Sequence, residues 1–407
     1  MQRKAPRSAA ALCAAVFFSA TAWAQQASVW GEKEIRASRA EHHAPGSLPD
    51  RTAYPADPLN LFLVVEAGDD HVTVLDGDRL EPIHRFASRK ELQGEPGFTP
   101  DGRFAFFASR DGWISKFDLW NLKTVAEVRA GLDTRNLAVS SDGKFVAVAN
   151  HEPHTLVILD AGLQLLKIVV ATDSSKRRSS RVALVRDSAP RRSFVAALPD
   201  LAEIWEISYD RAAPEIAEGL VHDYKLREGT FISGFLNPRR TPLEDAIEDF
   251  RLAPDGRQLL GIPRGGGKGQ VIHLDVRRRI ATLDLDWKTA WRTKSPEPRV
   301  FLHGHPASRY AFADAVLSRE HRDTLRVIDR QNPEIVAELR PAPGKTLAHV
   351  EFDRYGRYAL ASLQEADGAV IVYDASTLNE VKRLSMRKPM GKYNVFNEIN
   401  RYPGSSH

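Results

Sequence analysis

The sequence predicts an all-β fold, a β-propeller with seven recognisable blades. Three observations carry this expectation. A unit of short strands recurs from Leu59 onward. Most copies hold a tight turn of the Asp-Gly-Arg type before an apolar strand. Each copy then closes on an alternating strand that ends in Asp. The closing aspartates are Asp76, Asp118, Asp160, Asp210, Asp275, Asp329 and Asp374, separated by 42, 42, 50, 65, 54 and 45 residues. A period of that length built of short strands is the signature of blades, which cannot bury both faces alone and so stack around an axis.

The clearest copy is Phe98 to Asp118. Asp101-Gly102 and Asp111-Gly112 are turn signals flanking strands at Arg103 to Ala108 and Trp113 to Phe117. Glycine accepts the positive φ that such hairpin turns require. Asp142-Gly143-Lys144, Asp255-Gly256-Arg257 and Tyr355-Gly356-Arg357 repeat the turn; Pro190-Arg191-Arg192 and Ala307-Ser308-Arg309 are degraded copies. The closing strands are Val72 to Asp76, Trp113 to Asp118, Thr155 to Asp160, Glu203 to Asp210, Gln270 to Asp275, Thr324 to Asp329 and Ala369 to Asp374.

Ahead of the repeats, residues 1–24 read as a secretory signal peptide. Arg3, Lys4 and Arg7 precede the apolar run Ala9 to Ala20, and Ala22-Trp23-Ala24 offers a small-x-small cleavage site. That run is too short to span a bilayer, and no later stretch is long and apolar enough to do so. The expected location is periplasmic. Removal of the peptide lowers the net charge from +4 to +1, so a nucleic-acid partner is not implied. Cys13, the single cysteine of the sequence, leaves with it. No disulfide, thiolate nucleophile or covalent c-type haem is then expected. Residues 25–57 read as a flexible N-terminal arm carrying His42-His43, and 58–407 as the propeller domain. Residues 211–244 interrupt the repeat as a long insertion, read as an ordered lid or rim. Gly265 to Gly269 reads as a hairpin turn rather than a phosphate loop, lacking the spacing and following helix.

Few residues have the pattern of reactive groups. His303-Gly-His305 places two imidazoles at alternate positions, without an acidic or thiol neighbour in sequence. His349 begins the innermost strand of the last repeat, where it is either a polar residue of a wet channel or a ligand or proton-transfer group. Tyr393 could project near the same mouth. Arg110 and Arg135 follow strands of adjacent blades and could hold a polycarboxylate ligand or bridge the blades.

Ser109-Arg110-Asp111-Gly112, Asp118-Leu119-Trp120 and Thr134-Arg135-Asn136 resemble the haem d1-binding propellers, the family of the d1 domain of cytochrome cd1 nitrite reductase. Its dihydro-haem d1 dehydrogenase branch is resembled more strongly. Glu203 to Tyr209, His273 to Ile280, Leu339 to Thr346, Ala348 to Phe352, Met386 to Pro389 and Gly391 to Asn394 carry that likeness. The resemblance implies a periplasmic propeller holding haem d1 or its dihydro precursor. It implies a role in haem d1 biosynthesis or nitrite reductase maturation, in which a propionate side chain loses hydrogen. It assigns His349 and Tyr393 to that side chain, for proton abstraction or orientation, and Arg110 and Arg135 to the cofactor's carboxylates. A periplasmic cytochrome or a nitrite reductase is the implied partner. The alternative is a non-catalytic propeller that binds denitrification maturation proteins.

The sequence departs from the family pattern in three places. A cytochrome c domain is not found. Roughly one of the family's eight blades is absent between Trp287 and Pro298. Gln93 to Gly97 stands where relatives carry a histidine. His42, His43, His303 and His305 remain as candidate iron ligands.

Overall fold

The computed structural model describes residues 30–223, 228–263, 268–284 and 301–400. The segment expected to be a signal peptide, the glycine run from Gly265 and the proposed place of the absent blade lie outside or largely outside those residues. The described residues form seven antiparallel blade sheets, a number compatible with the repeat. Six have four strands, and the second gains a fifth from the N-terminal segment. In chain order the blades span 61–87, 92–129, 133–170, 184–242, 249–284, 301–339 and 347–386. The first blade is completed by Pro389–Asn394, which pairs with Leu61–Glu66 as its innermost strand. The two ends of the propeller chain are therefore joined in one sheet.

The repeated residues work as the sequence suggests. Gly102, Gly143, Gly256 and Gly356 all have φ between 68° and 70°. Each donates its amide back three residues to close the turn joining the innermost strand to the next, as in Gly102 to Thr99 at 2.9 Å. Asp76, Asp118, Asp160, Asp210, Asp329 and Asp374 cap the next turn, whereas Asp275 accepts from Arg191 at 2.7 Å. Asp118 Oδ1 accepts from the amides of Trp120 and Asn121 at 2.9 and 3.1 Å, and Asp374 Oδ1 accepts from Ser376 and Thr377 at 2.9 and 2.8 Å. This is the Asx arrangement that makes aspartate a turn former.

Period-two alternation stacks the blades. Leu61 and Leu63 pack with Ala105, Phe107 and Phe117 of the second blade, while Phe62 and Val64 pack with Leu360, Val370 and Val372 of the seventh. In the next blade Phe106 and Ala108 turn the other way, toward Val146 and Val148. Comparable apolar layers join the third blade to the fourth, the fourth to the fifth, and the sixth to the seventh.

Two segments depart from expectation. The arm is fastened from Trp30 onward. Trp30 Nε1 donates to Arg129 O at 2.9 Å, Ala40–Glu41 adds to the outermost strand Lys123–Arg129, and Ala53 N donates to Trp120 O at 2.8 Å. It covers an edge strand that would otherwise present unpaired backbone. The insertion is shorter than the sequence suggests, because Pro238–Pro242 is the outer strand of the fourth blade. What precedes it includes a two-stranded hairpin, Ile216–Asp223 with Glu228–Ile232, and Phe235 packs on the core beside Phe145.

These carboxylate caps carry an acid dependence. Hydrogen bonds from Ser376 and Thr377 hold Asp374 down at about 2, against an ordinary 3.8. Arg340 and the Gly344 amide hold Asp323 at about 2. A carboxyl depressed by folding contributes stability fully above its unfolded pKa and loses it as pH falls through the folded one. The melting temperature should therefore drop between pH 3.8 and about 2. Asp374→Asn should flatten that drop, read by circular dichroism melts across the window.

Candidate functional site

The site is built on two neighbouring innermost strands, Leu347–Phe352 and Pro389–Asn394. The first carries a bulge. Ala348 pairs with Ser362 and Glu351 with Leu360, so His349 and Val350 are squeezed between. His349 adopts φ 54°, a left-handed conformation that histidine tolerates better than most residues. Asp314 Oδ2 accepts the His349 amide at 2.9 Å. The Lys392 ammonium donates to the His349 carbonyl, and the Lys392 backbone N–H approaches His349 Nδ1 at 3.4 Å.

The second strand brings Tyr393 edge-on to His349, with ring centroids 5.3 Å apart and an interplanar angle of 77°. Pairing of Leu63 with Tyr393 sets this register. Gly391 makes room for the phenol, since a Cβ there would lie 2.3 Å from Tyr393 Oη. Burial raises the phenol's pKa, and Glu95, Glu398 and Glu351 add to the rise. Tyr393 thus stays protonated at neutral pH and can donate a hydrogen bond. The structure brings together the His349 and Tyr393 that the sequence singles out.

Around them lies a buried polar cluster that the sequence did not disclose. Lys392 is fully buried, and its Nζ also donates to Ser362 Oγ at 2.7 Å. Desolvation pushes Lys392 down to about 7, against the pull of Glu351 and Asp314. Desolvation pushes Glu351 up, although Asn397 Nδ2 donates to its Oε1 at 2.8 Å. His303 has an acidic partner after all. The hairpin of Phe301–Gly304 with Tyr310–Asp314 brings His303 Nε2 to Asp314 Oδ2 at 2.8 Å. His305 is also buried; its Nδ1 accepts from the Ala307 amide at 3.1 Å, and burial lowers its pKa.

Arg110 and Arg135 adjoin one another, since the Thr134 amide donates to Arg110 O at 2.9 Å. Both guanidiniums are exposed. Arg110 reaches Glu91 at 3.3 Å, and Arg135 reaches Gln93 at 3.2 Å. The Gln93 to Gly97 stretch bulges on the innermost strand of the second blade, with Gly94 left-handed at φ 68°. Glu95 within it lies 4.0 Å from Arg186, which in turn lies 3.9 Å from Asp249, so charges link three innermost strands. Leu302 and Met390, on two further innermost strands, are 59% and 37% exposed.

The candidate iron ligands fall in two places, His303 on an innermost strand with its ring centroid 6.1 Å from that of His349 and His305 just after that strand, His42 and His43 elsewhere. His42 and His43 bond to Val125 O on the outermost strand of the second blade, and His42 Nε2 meets Glu127 at 3.2 Å. That edge lies away from the innermost strands. Among the described residues no group of three or more His, Cys, Asp or Glu side chains could hold a metal ion.

Comparison with known proteins follows the same lines. Residues 56–231 and 265–398 match the family described as Cytochrome D1 heme domain. The dihydro-heme d1 dehydrogenase of Pseudomonas aeruginosa is 44% identical over 93% of this chain and 80% of its own. Protein NirF of Stutzerimonas stutzeri is 27% identical over 84% of this chain and 93% of its own. The solved structure of the dihydro-heme d1 dehydrogenase NirN in complex with DHE superposes with a TM-score of 0.81. It covers 91% of this chain and 82% of that one, at 44% identity.

Proposed function

The chain belongs to the cytochrome D1 heme domain family, and from that premise we propose that it binds haem d1 or its dihydro precursor during haem d1 biosynthesis in the periplasm. The observation that carries this reading is the His349–Tyr393 pair, held on two adjoining innermost strands in a chain 44% identical to a dihydro-heme d1 dehydrogenase over most of its length. The exposed Arg110 and Arg135 forks suit the macrocycle's carboxylates, which bidentate guanidinium contacts recognise. Leu302 and Met390 suit its apolar faces. His349 and Tyr393 serve a propionate side chain. Its conversion to an acrylate releases two protons and two electrons, and a separate periplasmic cytochrome or another electron carrier takes the electrons. Tyr393, kept protonated by burial, donates a hydrogen bond to the side-chain carboxylate.

Visible spectroscopy tests the reading. Micromolar dihydro precursor or haem d1 is added to purified protein. Shifted absorption bands that titrate to saturation are expected. The double variant Arg110→Gln/Arg135→Gln should weaken uptake by about tenfold or more, the scale of losing one to two charge-assisted contacts. Unshifted bands with the unaltered protein would overturn the proposal.

A further inference from the structure

The reading above leaves open how His349 acts, and the buried Lys392 narrows it. Three contacts converge on one histidine. Asp314 accepts from its amide, the Lys392 ammonium donates to its carbonyl, and the Lys392 backbone N–H is directed at its Nδ1. A backbone N–H can only donate, so Nδ1 acts as an acceptor. In the neutral ring the proton then sits on Nε2, because the hydrogen bond at one nitrogen sets the state of the other.

We propose that Lys392 is the positioning residue of the His349–Tyr393 pair. Its side chain grips the left-handed His349 turn by the carbonyl, and its amide fixes the imidazole as an Nε2–H donor. The inference rests, for its catalytic consequence, on the tetrapyrrole reading. His349 then orients the substrate's side-chain carboxylate by donating to it, alongside the Tyr393 hydroxyl, rather than abstracting a proton.

Two features support Lys392 in this role over that of a packing residue. A fully buried lysine is costly unless its donors are used, and both observed acceptors, His349 O and Ser362 Oγ, belong to the seventh blade while Lys392 belongs to the first. The lysine therefore fixes one strand of the pair against the other. The bulge at His349 supplies the second feature. A left-handed non-glycine residue persists only where its surroundings over-determine it, and these contacts do so.

The test uses the full-length protein with 15N-labelled histidine. The unaltered protein should show His349 with the chemical shifts of a bare Nδ1 and a protonated Nε2. Lys392→Met keeps the backbone N–H but removes the grip on the His349 carbonyl, so the imidazole should drift from that N–H and its two nitrogens should average toward exchanging tautomers. It should also lower turnover of the dihydro precursor by about tenfold or more while uptake stays within about threefold, the split expected when orientation rather than binding is lost. Ser362→Ala, which removes one of the two Nζ partners, should shift both readouts in the same direction by less, and it decides the matter if Lys392→Met fails to fold. A protonated Nδ1 in the unaltered protein would overturn the proposal. So would unaltered His349 shifts in both variants, or turnover losses matched by the unfolded fraction. If the unaltered protein takes up no tetrapyrrole, the functional reading fails, while the nitrogen shifts still decide the role of Lys392.

Discussion

A chain ending at Lys388 is expected not to fold cooperatively. The deleted segment looks like a tail in sequence but is the innermost strand of the first blade, paired with Leu61–Glu66 along its length. Without it that strand presents an open edge inside the ring. Lys392, Asn394, Val395 and Asn397 are each fully buried, so their loss also opens holes on both sides of the first blade, toward the seventh and the second. Asn394 Nδ2 bonds to Asn60 Oδ1 at 3.2 Å, and Asn397 Nδ2 bonds to Phe352 O at 2.8 Å. Each buried polar group left without its partner costs about 1–3 kcal/mol. Several such losses rival the ~5–15 kcal/mol by which a domain is stable. Far-UV circular dichroism melts and proteolysis provide the measurement. A sharp transition within a few degrees of the full-length protein would refute the expectation. A synthetic peptide of residues 389–400, added to the truncated chain, should restore protection if the strand docks as described.

The blades were legible because their cues are local. Asp101-Gly102 and Asp118 act on chain within a few residues, so turn and cap can be read from adjacent letters. Alternation in Leu61 to Val64 is likewise a property of one strand, though which blade each face meets is not. The partner of the first blade escaped notice because it is more than 300 residues away, and loop closure at that distance leaves no sequence pattern. The arm was misjudged for a related reason. Its low periodicity hides anchors that lie on another element, such as Arg129 O for Trp30.

The candidate site shows the same division. His349 and Tyr393 were found as polar residues in or beside strands, and the family likeness named them together. Lys392 was passed over because lysine in a strand normally marks a solvated face. Only the docking of two distant strands makes it interior. Asp314 was missed for the opposite reason. It stands at the end of an apolar strand, and its partners His303 and His349 come from two different hairpins.

His349→Asn is expected to lower turnover of the dihydro precursor by about 10²-fold, the cost of losing the orientation of a bound reacting group. Asparagine suits the test because it tolerates the left-handed backbone at φ 54°, as histidine does. Its side-chain oxygen can also accept from the Lys392 amide, so the bulge is spared while Nε2 is lost. Tyr393→Phe removes the other donor and should cost a comparable amount. Because both groups act on one carboxylate, the double variant should fall little further than either single one. Gly391→Ala offers an independent check without touching either ring. A Cβ there would meet Tyr393 Oη at 2.3 Å, so the phenol must move and the variant should mimic Tyr393→Phe. Single-turnover assays with saturating precursor and an added electron acceptor separate this loss from binding, which the visible bands report. Turnover within about threefold of the unaltered protein in His349→Asn would remove the histidine from the chemistry. Equal losses in uptake and turnover would instead place His349 in ligand binding alone, because a group that acts only in the reaction leaves uptake intact.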